Sequence, residues 1–333
     1  VNRRIASTAT VALLLCVGLV GCGIPAETEV RVDGKGPQSG QVAGNGFTTT
    51  SPARLDSDVP EVFAANYLAA AAGEVSGTYD RVNSYIPDGR GKLKQKAGSE
   101  PTINIVRVIG QPQASNTDRE GHWLVTINVQ QVGVLHADGS VGEPEATETR
   151  YQFEVGTAVT TLGDKVQPLD GLWVVDPPPV LLLSTNALDI YYAERTIYFW
   201  NADRTALVPD PRYLALSVPK EQQATEVLGW LIAGPAPWLA PAALPLPDGT
   251  TRIGNVPKPS GRLEVNLNVP ASEVDQPAEL DRLFTQLVWS LLSPSPDGTG
   301  GDDGELELKI QSQSRKVANV DDYRRANPPY RLA

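Results

Sequence analysis

Three consecutive stretches near the end of the chain restrict its possible folds more than any other feature. In "GRLEVNLNV", Leu263, Val265, Leu267 and Val269 alternate with polar residues, the period of a strand with one buried face. In "PAELDRLFTQLVWSLL" the period changes. Leu280, Leu283, Phe284, Leu287, Val288 and Leu291 make one helical stripe. "GELELKIQS" then alternates again through Leu306, Leu308 and Ile310. A strand, an amphipathic helix and a second strand bury their apolar faces only by packing the helix on a sheet.

The preceding residues extend this unit. Ile197 and Phe199 alternate with Tyr198 and Trp200, so a strand is expected from about Thr196. "NADRTALVPDPRYLALSV" reads as a turn and a returning strand. "KEQQATEVLGWLIAG" is an amphipathic helix, with Ala224, Val227, Leu228, Leu231 and Ile232 on one face and Gly234 as its stop. The expected order is β-β-α-β-α-β, a small sheet with two helices on one face.

The first half reads differently. Asp58 and Glu61 have capping-box spacing before a helix whose face carries Phe63, Tyr67, Ala70 and Ala71. Strands are expected at "INIVRVIG", "HWLVTINVQQVGVL", "TETRYQFEVGTAV" and "GLWVVDPPP", with "HADGS" as a turn. In the long strand Trp123, Val125, Ile127 and Val129 alternate, but Val132 and Val134 fall one residue out of step. That predicts a bulge near Gln130 and Gln131. A helix followed by a long antiparallel sheet is an α+β pattern, and it resembles the cone-shaped NTF2-like fold. The whole chain is therefore expected to be α+β, with two such domains at 58–190 and 191–318 and a tail at 319–333.

The N-terminus carries a targeting signal. Asn2, Arg3 and Arg4 precede an apolar run from Ile5 to Val20, too short for a membrane span but suited to a secretory signal peptide. Val1 reads as an alternative start codon translated literally. Leu19-Val20-Gly21-Cys22 resembles a bacterial lipobox, which implies cleavage between Gly21 and Cys22, leaving a signal peptide at 1–21. The lipobox also implies S-diacylglyceryl and N-acyl modification of Cys22. Cys16 leaves with the signal, so Cys22 has no disulfide partner. One acyl chain anchors marginally, whereas a diacylglyceryl group supplies two. Residues 22–57 are rich in Gly, Ser, Thr, Pro and Gln and read as a flexible tether with an end-to-end distance of roughly 30–35 Å.

The strings "RTIYFWNADRTALVPDPR", "LIAGPAPWL", "PDGTTRIGNV", "GRLEVNLN" and "LFTQLVWSLL" together resemble the GerMN domain family of spore-germination lipoproteins. With the lipobox, the tether, "LVPDPRY" and "LGWLIAGPAPWL", the chain is more similar still to the actinobacterial LpqB lipoprotein family, over most of residues 22–325. That resemblance implies a lipid-anchored protein on the extracytoplasmic face of the cell membrane. It implies a non-enzymatic accessory role toward a sensor histidine kinase, whose extracellular domain is the expected partner, in two-component signalling for cell wall and division. Members carry a β-propeller after this domain. Here the chain stops at "NPPYRLA", read as a natural short form or a truncation.

The residues themselves offer little chemistry. The net charge of −11 and the lack of a basic cluster argue against nucleic acid as a partner. His122 and His136 stand fourteen positions apart at opposite ends of one strand, some 45 Å if extended, so they are expected to be solvated and not to share a metal. Asp302, Asp303, Glu305 and Glu307 fail the calcium-loop pattern and read as a solvated hairpin. Asp176 has no evident partner. No nucleophile-elbow, zincin or phosphate-loop motif occurs, so no catalytic residue, metal or cofactor is expected. Of two aromatic clusters, Tyr191, Tyr192, Tyr198, Phe199 and Trp200 suit packing at the domain junction. Trp230, Pro235, Pro237 and Trp238 suit an exposed surface for a protein partner, or for peptidoglycan or another glycan, because proline keeps that segment out of regular structure. A cell-wall enzyme is the least favoured alternative.

Overall fold

The computed structural model describes residues 50–88, 91–144, 148–162, 165–258, 261–292 and 304–329. The signal peptide, Cys22, most of the tether, Asp302 and Asp303 lie outside these residues. The architecture is α+β, built around two hydrophobic cores within one compact unit.

The first core lies under an antiparallel sheet. Strands β1 (Ile103–Val108), β2 (Gln113–Asn116), β3 (His122–Leu135), β4 (Val141–Gly142), β5 (Glu148–Leu162), β6 (Lys165–Asp176) and β7 (Leu182–Ser184) form it, in the order β6-β5-β3-β1-β7. β2 and β4 also pair with β3. The short β7 joins β1 in parallel; "VLLLS", which reads as a connector, supplies this edge. Helices α1 (Pro60–Tyr67) and α2 (Thr78–Asn83) add Phe63, Ala64, Tyr67 and Val82 to this core. Phe63 and Tyr67 pack on Tyr85 and Phe153 with ring centroids 5.4 and 5.5 Å apart. A fully buried Phe or Leu contributes about 1.5–3 kcal/mol, so this cluster holds the helix in place. The expected capping box is absent: Val59 is the N-cap, no side chain caps it, and Pro60 opens the helix.

The alternation in β3 does not invert as expected. Val125, Ile127 and Val129 are buried, and so are Gln131, Gly133 and Leu135 in the same phase. A bulge does occur: Ile105 pairs with Gly133 and Val106 with Gln131, leaving Val132 as the extra residue. Gln131 stays buried because its amide donates to Asn104 Oδ1 at 3.2 Å. Val132 and Val134 are half-buried on the opposite face, which other elements partly cover.

Residues 54–57, expected in the tether, are fastened to this domain. The Arg54 guanidinium lies 3.9 Å from the Trp173 ring centroid, donates to the Leu172 carbonyl at 2.6 Å and pairs with Asp56 at 2.9 Å. The Leu55 amide donates to the Tyr85 hydroxyl at 3.0 Å. Cation–π stacking and charge-assisted hydrogen bonds explain why a loop of tether composition is ordered here.

Helix α3 (Thr185–Tyr191), capped by the Ser184 hydroxyl, leads from β7 into β8 (Tyr192–Asn201). The second region contains two sheets, not the single one expected. β8, β9 (Leu207–Ala215) and β10 (Ala243–Leu244) form the first, in the order β10-β8-β9. β11 (Thr251–Arg252), β12 (Arg262–Asn268), β13 (Glu305–Ile310) and β14 (Gln313–Asn319) form the second. β12 and β13 are parallel, which requires a crossover. Helix α5 (Pro277–Leu291) lies between them in sequence, and α4 (Lys220–Ala233) follows β9. α5 joins the two sheets. Its Ser290 hydroxyl accepts from the Tyr198 amide at 2.9 Å, and its Arg282 carbonyl accepts from Trp200 Nε1 at 3.1 Å. Past β14, helix α6 (Val320–Ala326) places Tyr323 edge-on to Phe284, with centroids 4.9 Å apart. Those residues, read from sequence as part of the tail, complete the second core.

Candidate binding groove at the joint between the cores

The two cores meet where the β3–β4 turn presses on β9. Arg212, on β9, is completely buried and makes four hydrogen bonds. Nη1 donates to the Asp138 carbonyl at 3.0 Å and to Asp138 Oδ2 at 2.7 Å. Nη2 donates to Asp210 Oδ2 at 2.7 Å and to the Gly234 carbonyl at 3.0 Å. Asp210, also fully buried, accepts from the Ala236 amide at 2.9 Å. The Tyr213 amide donates to the Gly139 carbonyl at 2.8 Å. Three separated strings thus converge: "HADGS", "LVPDPRY" and "LIAGPAPWL". Alternation along β9 turns Asp210 and Arg212 inward and leaves Pro209 and Pro211 outward. β9 is an edge strand, where prolines do not break a ladder. Gly234, at φ 101°, ends α4 and points its carbonyl at Arg212.

Burial alone would raise the Asp138 carboxyl. Hydrogen bonds from the Ser140 hydroxyl and amide, together with the Arg212 charge, outweigh burial and hold it below its ordinary 3.8. A depressed carboxylate contributes stability above the unfolded value and loses it as pH falls through the folded one. The melting-temperature gap between wild type and Asp138→Asn is therefore expected to be widest near neutrality and to close as the pH drops below 3.8. An unchanged gap down to that range would contradict this role.

Beside the joint lies a groove of about 730 Å³, within the usual ligand-site range of roughly 300–1,000 Å³. Ile105 and Val132 of the first sheet form one side, Leu188 and Asp189 of α3 a second, and Glu194 with Tyr213 of the small sheet a third. Trp238 stands at its rim, 53% exposed. Its backbone is held by a turn in which Leu239 and Ala240 donate to the Ala236 carbonyl at 2.8 and 2.9 Å. Among the described residues no histidine lines the groove.

The expected aromatic surface is therefore divided. Trp238 and Pro237 are exposed and Pro235 is half-buried, but Trp230 is 5% exposed and faces a separate cavity of about 230 Å³ beside His136 and Tyr192. Ala236, Leu239, Ala243 and Leu246 are buried too, so the proline-rich segment is core apart from its tip. Periodicity could not show this, because irregular backbone has none. The other aromatic cluster does pack: Tyr192 exchanges hydrogen bonds with the Gly73 backbone at 2.9 and 3.1 Å.

Two further expectations change. His122 is not solvated; its Nδ1 meets Glu154 Oε1 at 2.7 Å, with 11% of the side chain exposed, and His136 is half-buried. Glu305 and Glu307 do lie in a hairpin, on β13 opposite β14, but they are paired with cations rather than solvated. Glu305 pairs with Arg262 at 2.7 Å, and Glu307 stands 3.7 Å from both Arg262 and Lys309. Asp176 is exposed at the end of β6. Among the described residues no group of three or more His, Cys, Asp or Glu could hold a metal ion. No helix among them is long and apolar enough to cross a membrane.

Residues 196–298 match the Germane family, described as "Sporulation and spore germination", and this segment includes the second half of β8, all of β9 and both long helices. The second region is thus a Germane domain, joined to an α+β domain through Arg212. The chain is 36% identical to Lipoprotein LpqB of Thermobifida fusca over 141 residues, 41% of this chain and 22% of the relative. It is 32% identical to LpqB of Mycolicibacterium smegmatis over 297 residues, 84% of this chain and 46% of the relative. It is 24% identical to LpqB of Mycobacterium tuberculosis over 293 residues, 85% of this chain and 46% of that protein. The chain belongs to the LpqB lipoprotein family. It spans less than half the length of these relatives. No solved structure matches it.

Proposed function

We propose that this protein is a non-enzymatic envelope lipoprotein, anchored at Cys22 on the extracytoplasmic face, that serves a sensor histidine kinase by contacting its extracellular domain. The joint is the observation that supports this most. Motif residues of the family, Asp210, Arg212, Gly234 and Ala236, hold two modules together and leave Trp238 exposed beside them. Such residues serve geometry, and exposed tryptophan is a preferred anchor at protein contacts. The LpqB resemblance supplies the kinase as the partner class. Crosslinking in native membranes is expected to recover a histidine kinase with the full chain; repeated recovery of none would reject the partner.

Cys22→Ser is expected to shift the protein from the membrane fraction to the aqueous phase, because the two-chain anchor is lost. Undiminished membrane association of that variant would reject the anchor. A second reading, contact with peptidoglycan or another glycan, is favoured by the exposed Trp238 ring. Retention of the Cys22→Ser chain on purified cell wall at low salt supports it, and free elution counts against it.

A further inference from the structure

We propose that the groove at the joint binds a ligand carrying a primary ammonium on a short aliphatic chain, such as a lysine-type side chain. This inference concerns the groove alone and does not depend on the kinase.

The charges decide the sign of the ligand. Asp189 and Glu194 are exposed in the groove wall, and among the described residues neither carboxylate makes an ion pair or a side-chain hydrogen bond. Among the described residues the one cation in the lining is Arg107, and the one side-chain partner its guanidinium reaches there is Gln130 Oε1, at 3.4 Å. Any charged ligand entering the groove meets these two carboxylates and a single guanidinium, which together repel an anion and attract a cation.

The arrangement is also local enough to act on one group. Glu194 and Tyr213 are direct cross-strand partners, a relation that brings Cβ atoms to about 4.5–5.5 Å. The Tyr213 hydroxyl is pushed up first by burial and then by the charges of Glu194 and Asp189. Both carboxylates therefore bear on the same phenol. Exposed carboxylates beside aromatic faces suit an alkylammonium, which the rings attract electrostatically. Ile105, Val132 and Leu188 offer apolar surface to the methylenes that carry it.

The wall is held in place before any ligand arrives. The Tyr213 backbone is tied to Gly139 at 2.8 Å. The turn bearing Trp238 starts at Ala236, whose amide is bound to buried Asp210 at 2.9 Å. Pre-organisation of this kind lowers the entropic cost of binding.

The test uses the full chain in detergent, titrated calorimetrically with Nα-acetyl-lysine methylamide and with its Nε-acetylated counterpart, which differ only at the ammonium. Saturable binding of the first is expected, with the second weaker by about tenfold or more. Asp189→Asn and Glu194→Gln are each expected to weaken binding several-fold, and the double variant to abolish it, with melting temperatures unchanged. Trp238→Ala should weaken it as well, since it removes a ring without disturbing the core. Equal affinity for the acetylated probe, no saturable binding, or wild-type affinity in the double variant overturns the proposal.

Discussion

Arg212→Ala is expected to lower the unfolding free energy by about 3–5 kcal/mol, the range for removing one partner of a buried ion pair. The substitution strands Asp210, which has no exposed surface and would keep only the Ala236 amide as a donor. It also leaves the Asp138 and Gly234 carbonyls without the donors they now have. Denaturant unfolding followed by far-UV and near-UV circular dichroism measures the loss. A cost below about 1 kcal/mol, the level of a surface pair, would show that the joint is wet and weak. The double variant Arg212→Met with Asp210→Leu separates charge burial from attachment. It leaves no orphan charge at that pair, and such replacements are often neutral or stabilising. Asp210 Oδ1 and Arg212 Nε already have no hydrogen-bond partner among the described residues, so the pair is imperfectly solvated by its surroundings. The double variant should therefore recover most of the loss. Its two cores are still expected to unfold less cooperatively, because the hydrogen bonds to Asp138 and Gly234 are absent.

The second large effect is expected at Gly139, in the turn that meets β9. Its φ is +75°, and a Cβ there would lie 2.7 Å from the Tyr213 carbonyl oxygen and 3.1 Å from Trp230 Cζ2. Gly139→Ala incurs the left-handed backbone penalty and an overpacking penalty against backbone that cannot swing away, about 2–5 kcal/mol together. Gly254 provides the comparison, since its φ is also +75° and a Cβ there meets nothing within 4 Å. Gly254→Ala should cost only the backbone part, about 1–2 kcal/mol. Equal costs at the two positions would mean that the turn does not press on β9.

How much of this was legible depends on the kind of signal each residue leaves. The stripe from Leu280 to Leu291 and the alternation of Leu263, Val265 and Leu267 survive in the fold because burial of one face obeys the helix or strand period directly. The same reasoning went wrong at Val132. A bulge left it without a partner on β1 and did not invert the buried face, since both sides of β3 are covered there. It could not separate Trp230 from Trp238. Both precede or follow a glycine–proline run; Trp230 lies on the buried face of α4, whereas Trp238 stands exposed in the turn that starts at Ala236.

What the sequence by itself determined is the α+β class, the long elements and the family, because these rest on local periodicity and on contiguous strings. What the tertiary structure decided is the joint and the groove. Asp138 and Arg212 lie 74 positions apart, and Asp189, Glu194 and Trp238 belong to three different elements or turns. No local pattern encodes such a meeting, since it depends on which way each strand and turn faces once two cores have formed. The strings "LVPDPRY" and "LIAGPAPWL" stand out in the sequence. Their physical meaning, a buried guanidinium held by two carboxylates and two carbonyls, exists only when the chain is folded.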